Sequence, residues 1–235
     1  MKLFILSLFK RIGFIVKLNN AKNNELLLVS YLIQQKGINK VLDVGANKGQ
    51  FASSILKEHP NMRVLSFEPL SDAYKVLSTR SALKKNWEAH NYAIGSQVME
   101  SEIYVSANSH SSSLLEINQS HLDAEATAKV IRTEKIKVTP LHTLVNLSKT
   151  EKVFLKIDTQ GFEMEVLKGS KGLFSNIELI VVELSLVELY KGAATFSSIV
   201  NYLEENGFKL YQLFPEFTDP ETHQLLQVNG VFTKQ

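Results

Sequence analysis

Apolar residues along this chain fall into two kinds of stretch. Short runs rich in Val, Ile, Leu and Phe predict strands at 41–44, 63–67, 88–94, 102–106, 135–139, 153–157, 179–183, 209–214 and 230–233. Between several of them the apolar positions recur at the spacing of a surface helix, which predicts helices over 50–57, 72–84, 163–168 and 196–206. Gly207 after Asn206 is a typical helix stop. Strands alternating with helices in this way are parallel, joined by crossovers, and bind ligands at their carboxyl ends. Asp43, Glu68 and Asp158 each stand at such an end.

The first of these ends carries the most chemistry. Val41-Leu-Asp-Val-Gly-Ala-Asn-Lys-Gly49 runs from a buried strand through a turn into a helix, and Gly45 and Gly49 let backbone approach a ligand that a Cβ would block. A dinucleotide fingerprint needs glycines at the first, third and sixth positions of the turn. Asn47 and Lys48 occupy this loop instead, so NAD fits poorly. An acid before the first glycine and another at the end of the second strand suit a ligand with an amino group and a ribose diol but no phosphate, such as S-adenosylmethionine. Glu68 would accept from both ribose hydroxyls. Asp43 would sit near the amino acid end or organise the loop. Either acid alone also fits a helix cap or a surface charge; the two in this order favour the cofactor.

A second strand end repeats the design. In Leu155-Lys-Ile-Asp-Thr-Gln-Gly-Phe-Glu163, Lys156 and Asp158 share a strand face, as a structural ion pair or as reacting groups, and Glu163 opens a helix where its charge suits the dipole. Glu183 ends the apolar run Ile180-Val-Val182, and burial there requires a hydrogen-bond partner or a function. The polar stretch Ser106-Ala-Asn-Ser-His-Ser-Ser-Ser113 is a loop, either a solvated turn or a cover for the site. As a cover, its His110, Ser111 and Ser112 would orient a polar substrate, together with Glu163.

Composition narrows the class. At 235 residues and 44% hydrophobic content the chain can bury a full core as a single α/β domain. A net charge of +2 from 26 basic and 24 acidic residues leaves no basic field of the kind nucleic-acid binding requires. Cysteine is absent, which excludes disulfides and thiolate chemistry and fits a cytoplasmic compartment. Residues 1–24 form an apolar and basic helical segment ahead of a 25–235 domain. Residues 1–18, interrupted by Lys10, Arg11 and Lys17, are too short and charged to span a bilayer. They read first as a helix packed on the domain, and second as peripheral attachment to the inner face of the membrane. A cleaved signal is the weakest reading, since no small-residue cleavage site follows.

Several segments together resemble the FkbM family of S-adenosylmethionine-dependent methyltransferases: residues 41–49, Phe67-Glu-Pro69, Asn91-Tyr-Ala-Ile-Gly95, Ser111-Ser-Ser-Leu114, Lys156-Ile-Asp-Thr-Gln-Gly-Phe-Glu163 and Val166-Leu-Lys-Gly169. The resemblance continues through Glu183-Leu-Ser-Leu, Leu189-Tyr190, Gly207-Phe208 and Leu226-Gln-Val-Asn-Gly-Val-Phe232. It implies a single-domain, Rossmann-like class I fold with a mostly parallel seven-stranded sheet, Pro69 and Ala93 beside the cofactor, and O-methylation of a glycan or related natural product. His142 stands where the family commonly has Asp, and Asn229 likewise.

Methyl transfer from a sulfonium is an in-line displacement, so alignment and water exclusion are the main tasks, with a base for the alcohol proton. Asp158 is the first candidate, supported by Lys156; Glu183, His110 and His142 follow. No metal is required on this reading. N-methylation, a non-catalytic assembly subunit and, more remotely, a nicotinamide oxidoreductase are the alternatives. Membrane attachment would make a lipid-linked saccharide a natural acceptor.

Overall fold

The computed structural model describes residues 21–235, with side chains from Glu25 onward. Helix α1 (Ala21–Lys36) ends at Gly37, whose φ of 66° turns the chain into β1 (Lys40–Val44). There follow α2 (Gln50–Glu58), β2 (Arg63–Phe67), α3 (Ser71–Ser81), β3 (Trp87–His90), β4 (Ala93–Ile94) and β5 (Met99–Ser106). Next come α4 (Gln119–Ala124), β6 (Val130–Thr139), α5 (Leu141–Leu144), β7 (Val153–Ile157), α6 (Glu163–Ser170), β8 (Ile177–Ser185), α7 (Phe196–Glu205), β9 (Phe208–Thr218) and β10 (Leu225–Lys234).

Seven strands make one sheet in the order β3-β2-β1-β7-β8-β10-β9. The first five are mutually parallel, and β10 runs antiparallel to both β8 and β9. This is the mostly parallel, helix-flanked sheet that the sequence predicts. The chain winds outward from β1 through β2 to β3, then returns to β1's other side with β7. That reversal opens a crevice at the carboxyl ends of β1 and β7, where Asp43 and Asp158 stand.

The parallel strands are buried on both faces, which is why they read as near-continuous apolar runs. All five residues of β1 are buried, and side-chain alternation divides the core between two layers. Leu42, Leu65, Leu155 and Val182 face the α6 and α7 side with Val166 and Ile199. Val41, Val64, Phe154 and Val181 face α1 and α2 with Val29 and Ile55. Each such side chain contributes about 1.5–3 kcal/mol by leaving water.

Several expectations need correction. The strand predicted over 88–94 is two strands in different sheets, because the Asn91 amide turns the chain by donating to the carbonyls of Glu68 and Pro69, both at 2.9 Å. β4 instead pairs with β6, and β5 with β6, in a separate three-stranded sheet that covers the cleft beside Leu70 and Phe162. Helix α3 stops at Ser81, short of the predicted 84, as Leu83 and Lys84 close a turn onto Arg80 and Ser81. β9 and β10 are longer than predicted, since each is held along its length by the other. Helix α1 runs through the expected boundary at residue 24, while the segment 1–18 lies outside the described residues. Among the described residues no helix is long and apolar enough to cross a membrane.

Candidate functional site

The loop after β1 is shaped by three left-handed residues, Gly45 (φ 77°), Asn47 (φ 46°) and Gly49 (φ 80°). Gly45 and Ala46 both donate to the Phe67 carbonyl at 3.0 Å, which ties the loop to β2. A Cβ on Gly45 would lie 1.8 Å from the Asp158 carbonyl oxygen, so the loops after β1 and β7 meet backbone to backbone. Gly49 is needed for a different reason: its Cβ would strike Trp87 and Leu77 at 2.7 and 2.8 Å. It sets the packing of α2 and does not line the cleft.

Glu68 leaves β2 buried, with 5% of its surface exposed. Its Oε2 accepts from the Asn47 N–H at 2.7 Å and its Oε1 from the Leu70 N–H at 2.9 Å. Those two bonds occupy half of its roughly four lone-pair directions and leave the rest for a ligand. Burial pushes its pKa up to about 7 against the lowering effect of the two backbone donors. Asp43 lies deeper, with no exposed surface, and does not reach the cleft. Its Oδ2 accepts from the Ser66 hydroxyl at 3.1 Å, and Lys156 Nζ stands 4.0 Å from its Oδ1. Burial raises its pKa. Asp43 thus lies in the floor of the site, held by Ser66 on β2 and facing Lys156 on β7.

Asp158 continues from β7, and its N–H donates to the Val44 carbonyl at 3.0 Å. Lys156 Nζ donates to its Oδ2 at 2.9 Å and the Gln160 amide to its Oδ1 at 2.9 Å. Burial alone would raise this carboxyl's pKa, but the Lys156 charge and the two hydrogen bonds outweigh it and hold the pKa below the ordinary value. Lys156, despite its burial, is held charged by Asp158 and Asp43. The ion pair foreseen as the structural alternative is therefore formed, and Asp158 still lines the cleft.

Glu163 and Glu183 sit behind this rim and line neither cavity. Glu163 Oε1 accepts from the Thr159 and Gly161 N–H groups at 3.1 and 3.0 Å, making it the clasp of its own loop and correcting its expected place on the substrate. Burial pushes its pKa up to about 7. Glu183 Oε2 accepts from the amides of Gln160 at 2.7 Å and Gln227 at 2.9 Å. Burial, then the Asp158 and Glu163 charges, raise its pKa well above the carboxylate range.

The serine stretch is not a solvated turn. Ser106, Ser111, Ser112 and Ser113 are all buried, and the segment folds over the site as a roof. Ser113 Oγ donates to the Gln160 carbonyl at 2.6 Å, and the Asn47 amide donates to Ser109 Oγ at 3.3 Å, so the roof bridges both ligand loops. His110 and Ser112 line the cleft; Ser111 turns inward, its carbonyl accepting from the Tyr190 hydroxyl at 3.3 Å. His142 belongs elsewhere, on α5 with Nδ1 2.8 Å from the Gly169 carbonyl, and is withdrawn as a base.

Together these elements form a cleft lined by Gly45, Asn47, Glu68, Pro69, Ala93, His110, Ser112 and Asp158 among others. Its apolar wall is Phe67, Tyr92, Ile94, Ile103, Leu114 and Phe162. A more open cavity lies between α1, α2, β9 and β10. It shares Gly45, Asn47, His110 and Asp158 with the first and adds Glu25, Phe51, Lys156, Glu216 and Asn229. Asn229, singled out as a departure, donates from its amide to Glu25 at 3.0 Å and Glu216 at 3.3 Å. Among the described residues no group of three His, Asp or Glu converges as a metal site.

Sequence reasoning missed Gln160, Ser113, Tyr92 and Tyr190. Tyr190 is fully buried and donates to Gln160 Oε1 at 2.7 Å, with burial raising its pKa. The available signal was Gln160 itself, a long amide in a turn, two residues after Asp158 and directly before Gly161.

One observation at the site fits a polar ligand such as S-adenosylmethionine: Asn47 Oδ1 is buried at the cleft with no hydrogen-bond partner among the described residues. Comparison with known proteins agrees. The chain is 23% identical over 206 residues to Methyltransferase 1 of Beauveria bassiana (strain ARSEF 2860), covering 77% of this chain and 76% of that one. The crystal structure of an FkbM methyltransferase from Methylobacillus flagellatus KT superposes with a TM-score of 0.52 at 15% identity, covering 82% of this chain and 43% of that one, so the chain spans less than half of it. The model of the methyltransferase FkbM domain matches residues 43–210, from the acid of the first loop to β9. With the motifs and the cleft they build falling inside that match, the chain belongs to the FkbM methyltransferase family.

Proposed function

We propose that the protein is an S-adenosylmethionine-dependent O-methyltransferase that modifies a hydroxyl of a saccharide or a related polyhydroxylated compound. The observation that carries this reading is the pair of adjoining cavities with Asp158 and His110 in the wall of both. The enclosed one suits the nucleoside, and the open one suits an acceptor.

Glu68 accepts from the ribose hydroxyls, as strand-end acids of nucleotide folds do. The apolar wall takes the adenine, and the glycine loop and Asn47 take the amino acid end. When bound, the cofactor supplies an electrophilic methyl group on a sulfonium. Asp158, held charged by Lys156, would accept the hydrogen bond of the acceptor hydroxyl and take its proton as the C–O bond forms and the methyl C–S bond breaks, leaving a neutral thioether. Phe51 offers the face of a sugar ring a stacking partner, and the amides and carboxylates of the open cavity suit hydroxyl groups.

A lipid-linked saccharide is the acceptor we favour if residues 1–18 bind membranes. Leu27 and Tyr31, one helical turn apart on α1, are exposed and would extend that apolar surface. Co-sedimentation with anionic vesicles, with and without residues 1–18, tests it; no binding in either form removes the idea.

The function itself is tested by calorimetric titration with S-adenosylmethionine and NAD, followed by methyl-tritiated donor and a panel of sugars and amines. Micromolar binding of the methyl donor with label on sugar hydroxyls supports the reading. Preference for NAD overturns the cofactor, and label confined to amines overturns the acceptor.

A further inference from the structure

Gln160 occupies an unusual place. It is a non-glycine residue at φ 56°, in the left-handed region that Gly, Asn and Asp visit routinely and longer side chains do not. Both polar atoms of its side chain and its backbone carbonyl are used. Its amide nitrogen donates to Asp158 Oδ1 at 2.9 Å and to Glu183 Oε2 at 2.7 Å. Its amide oxygen accepts from the Tyr190 hydroxyl at 2.7 Å, and its backbone carbonyl accepts from Ser113 at 2.6 Å. Gly161 makes room for this: a Cβ there would meet Tyr190 Cβ at 2.9 Å, so the loop lies directly on the tyrosine.

The orientation of the amide follows from its neighbours. A carboxylate only accepts, so the side facing Asp158 must be the NH₂ group, and the tyrosine hydroxyl then donates to the oxygen. Tyr190 is in turn fixed at the heart of an apolar cluster with Leu189 and Leu226. The amide is thus anchored from the core outward, and its free end terminates on the carboxylate that lines both cavities.

We propose that Gln160 is the positioning residue for Asp158: its amide, clamped between Tyr190 and Glu183, fixes the direction and the charge of the cleft carboxylate, a role that rests on the methyl-transfer reading of the site. Lys156 alone holds only Oδ2 and would leave the carboxylate free to swing about that one bond. With Gln160 on Oδ1, both oxygens are pinned, and the lone pairs that remain point in set directions. The other ionisable groups around Asp158 are Asp43 and Glu68 below and beside it, His110 in the roof, and Glu163 and Glu183 behind. Four of these five are acids whose charge would disfavour that of Asp158. The Gln160 donor therefore works with Lys156 against them.

The test needs neither cofactor nor acceptor. The full chain labelled with ¹³C at the aspartate carboxyl carbons is titrated by NMR, with Asp158→Asn identifying the signal. Gln160→Ala is expected to raise the Asp158 midpoint by about 1 pH unit, the scale of one lost charge-assisted hydrogen bond. Tyr190→Phe, which touches no atom of Asp158, is expected to raise it by less. A residue that merely shaped the loop would lower thermal stability and leave the midpoint in place. An unchanged midpoint in a folded Gln160→Ala protein overturns the proposal. Should that variant not fold, an unchanged midpoint in Tyr190→Phe overturns it instead. Failure of the wild type to bind S-adenosylmethionine would count against the proposed function and leave the clamp standing.

Discussion

Glu68 and Asp158 stand at the ends of neighbouring parts of one sheet, each lines the same cleft, and the protein treats them in opposite ways. Glu68 is held by two backbone N–H groups, and burial pushes it up to about 7. Asp158, half-buried, is held by an ammonium and an amide, and stays below the ordinary value. Backbone donors fix position and leave the charge soft; a side-chain cation fixes the charge. A group that only has to accept hydrogen bonds from a neutral diol can be of the first kind. A group that must draw a proton from a hydroxyl has to keep its charge and belongs to the second.

The largest expected effect comes from separating the two loops that carry these acids. Gly45→Ala puts a Cβ 1.8 Å from the Asp158 carbonyl at a φ of 77°. It should cost at least about 3 kcal/mol of stability and abolish S-adenosylmethionine binding. Gly37→Ala is the control: its φ is 66° but nothing lies within 4 Å of the added methyl, so about 1 kcal/mol is expected, with binding kept. Urea melts and calorimetry of both variants decide. Equal losses would mean that left-handed strain alone matters and that the loops do not lock.

Next in size is the asymmetry between the acids themselves. On an acceptor found in the screen, Asp158→Asn is expected to slow transfer by roughly 10²–10⁴, the range for a general base, with methyl-donor affinity nearly unchanged. Glu68→Ala is expected to do the reverse, weakening the donor by roughly 100-fold through lost hydrogen bonds to ligand and loop. Slow transfer with the donor fully bound in Glu68→Ala, or loss of donor in Asp158→Asn, would exchange the two roles.

Much of this contrast was legible in the chain, and the part that was not has a physical reason. Asp43, Glu68 and Asp158 could be placed because strand ends in a parallel sheet are set by local apolar pattern and a general rule of topology. What each carboxylate would do depended on partners far away in sequence. The tie from Gln160 to Glu183 spans 23 residues and that to Tyr190 spans 30, so neither leaves a periodic trace. Gly49 was assigned to the cofactor because glycine permits ligand approach, yet its constraint is the Trp87 ring. A solvated turn was one reading of the serines because serine usually is solvated; here contacts with Tyr104 on β5, Gln160 and Tyr190 hold them in buried positions. Splitting of the 88–94 run could not be foreseen, since the Asn91 hydrogen bonds that cause it require β2 to be already in place.

The smallest effect concerns pH, and it separates Glu68 from the other raised acid, Glu163. Both are pushed from 4.5 to about 7, chiefly by burial. An acid with a raised pKa binds more protons folded than unfolded, so its stabilisation is complete below about 4.5 and is lost as pH rises through about 7. Asp43 and Glu183 act in the same sense. Asp158 acts oppositely, but its window lies below 3.8. His121, buried with a lowered pKa, also acts oppositely, losing stability as pH falls below 6.5. The acids outnumber it, so the melting temperature without ligand should fall between pH 5 and pH 8. Glu163→Gln keeps an acceptor oxygen for Thr159 and Gly161 but has no proton to lose, and should flatten the slope by up to about 3 kcal/mol across that interval. Saturating S-adenosylmethionine should flatten a different share, because a ribose diol favours the charged form of Glu68 and draws its pKa down. The two effects should then add in Glu163→Gln with ligand present, as independent sites do. A ligand that flattened the slope only while Glu163 could ionise would place the diol's influence on the loop after β7 and undo the division of labour between the two strand ends.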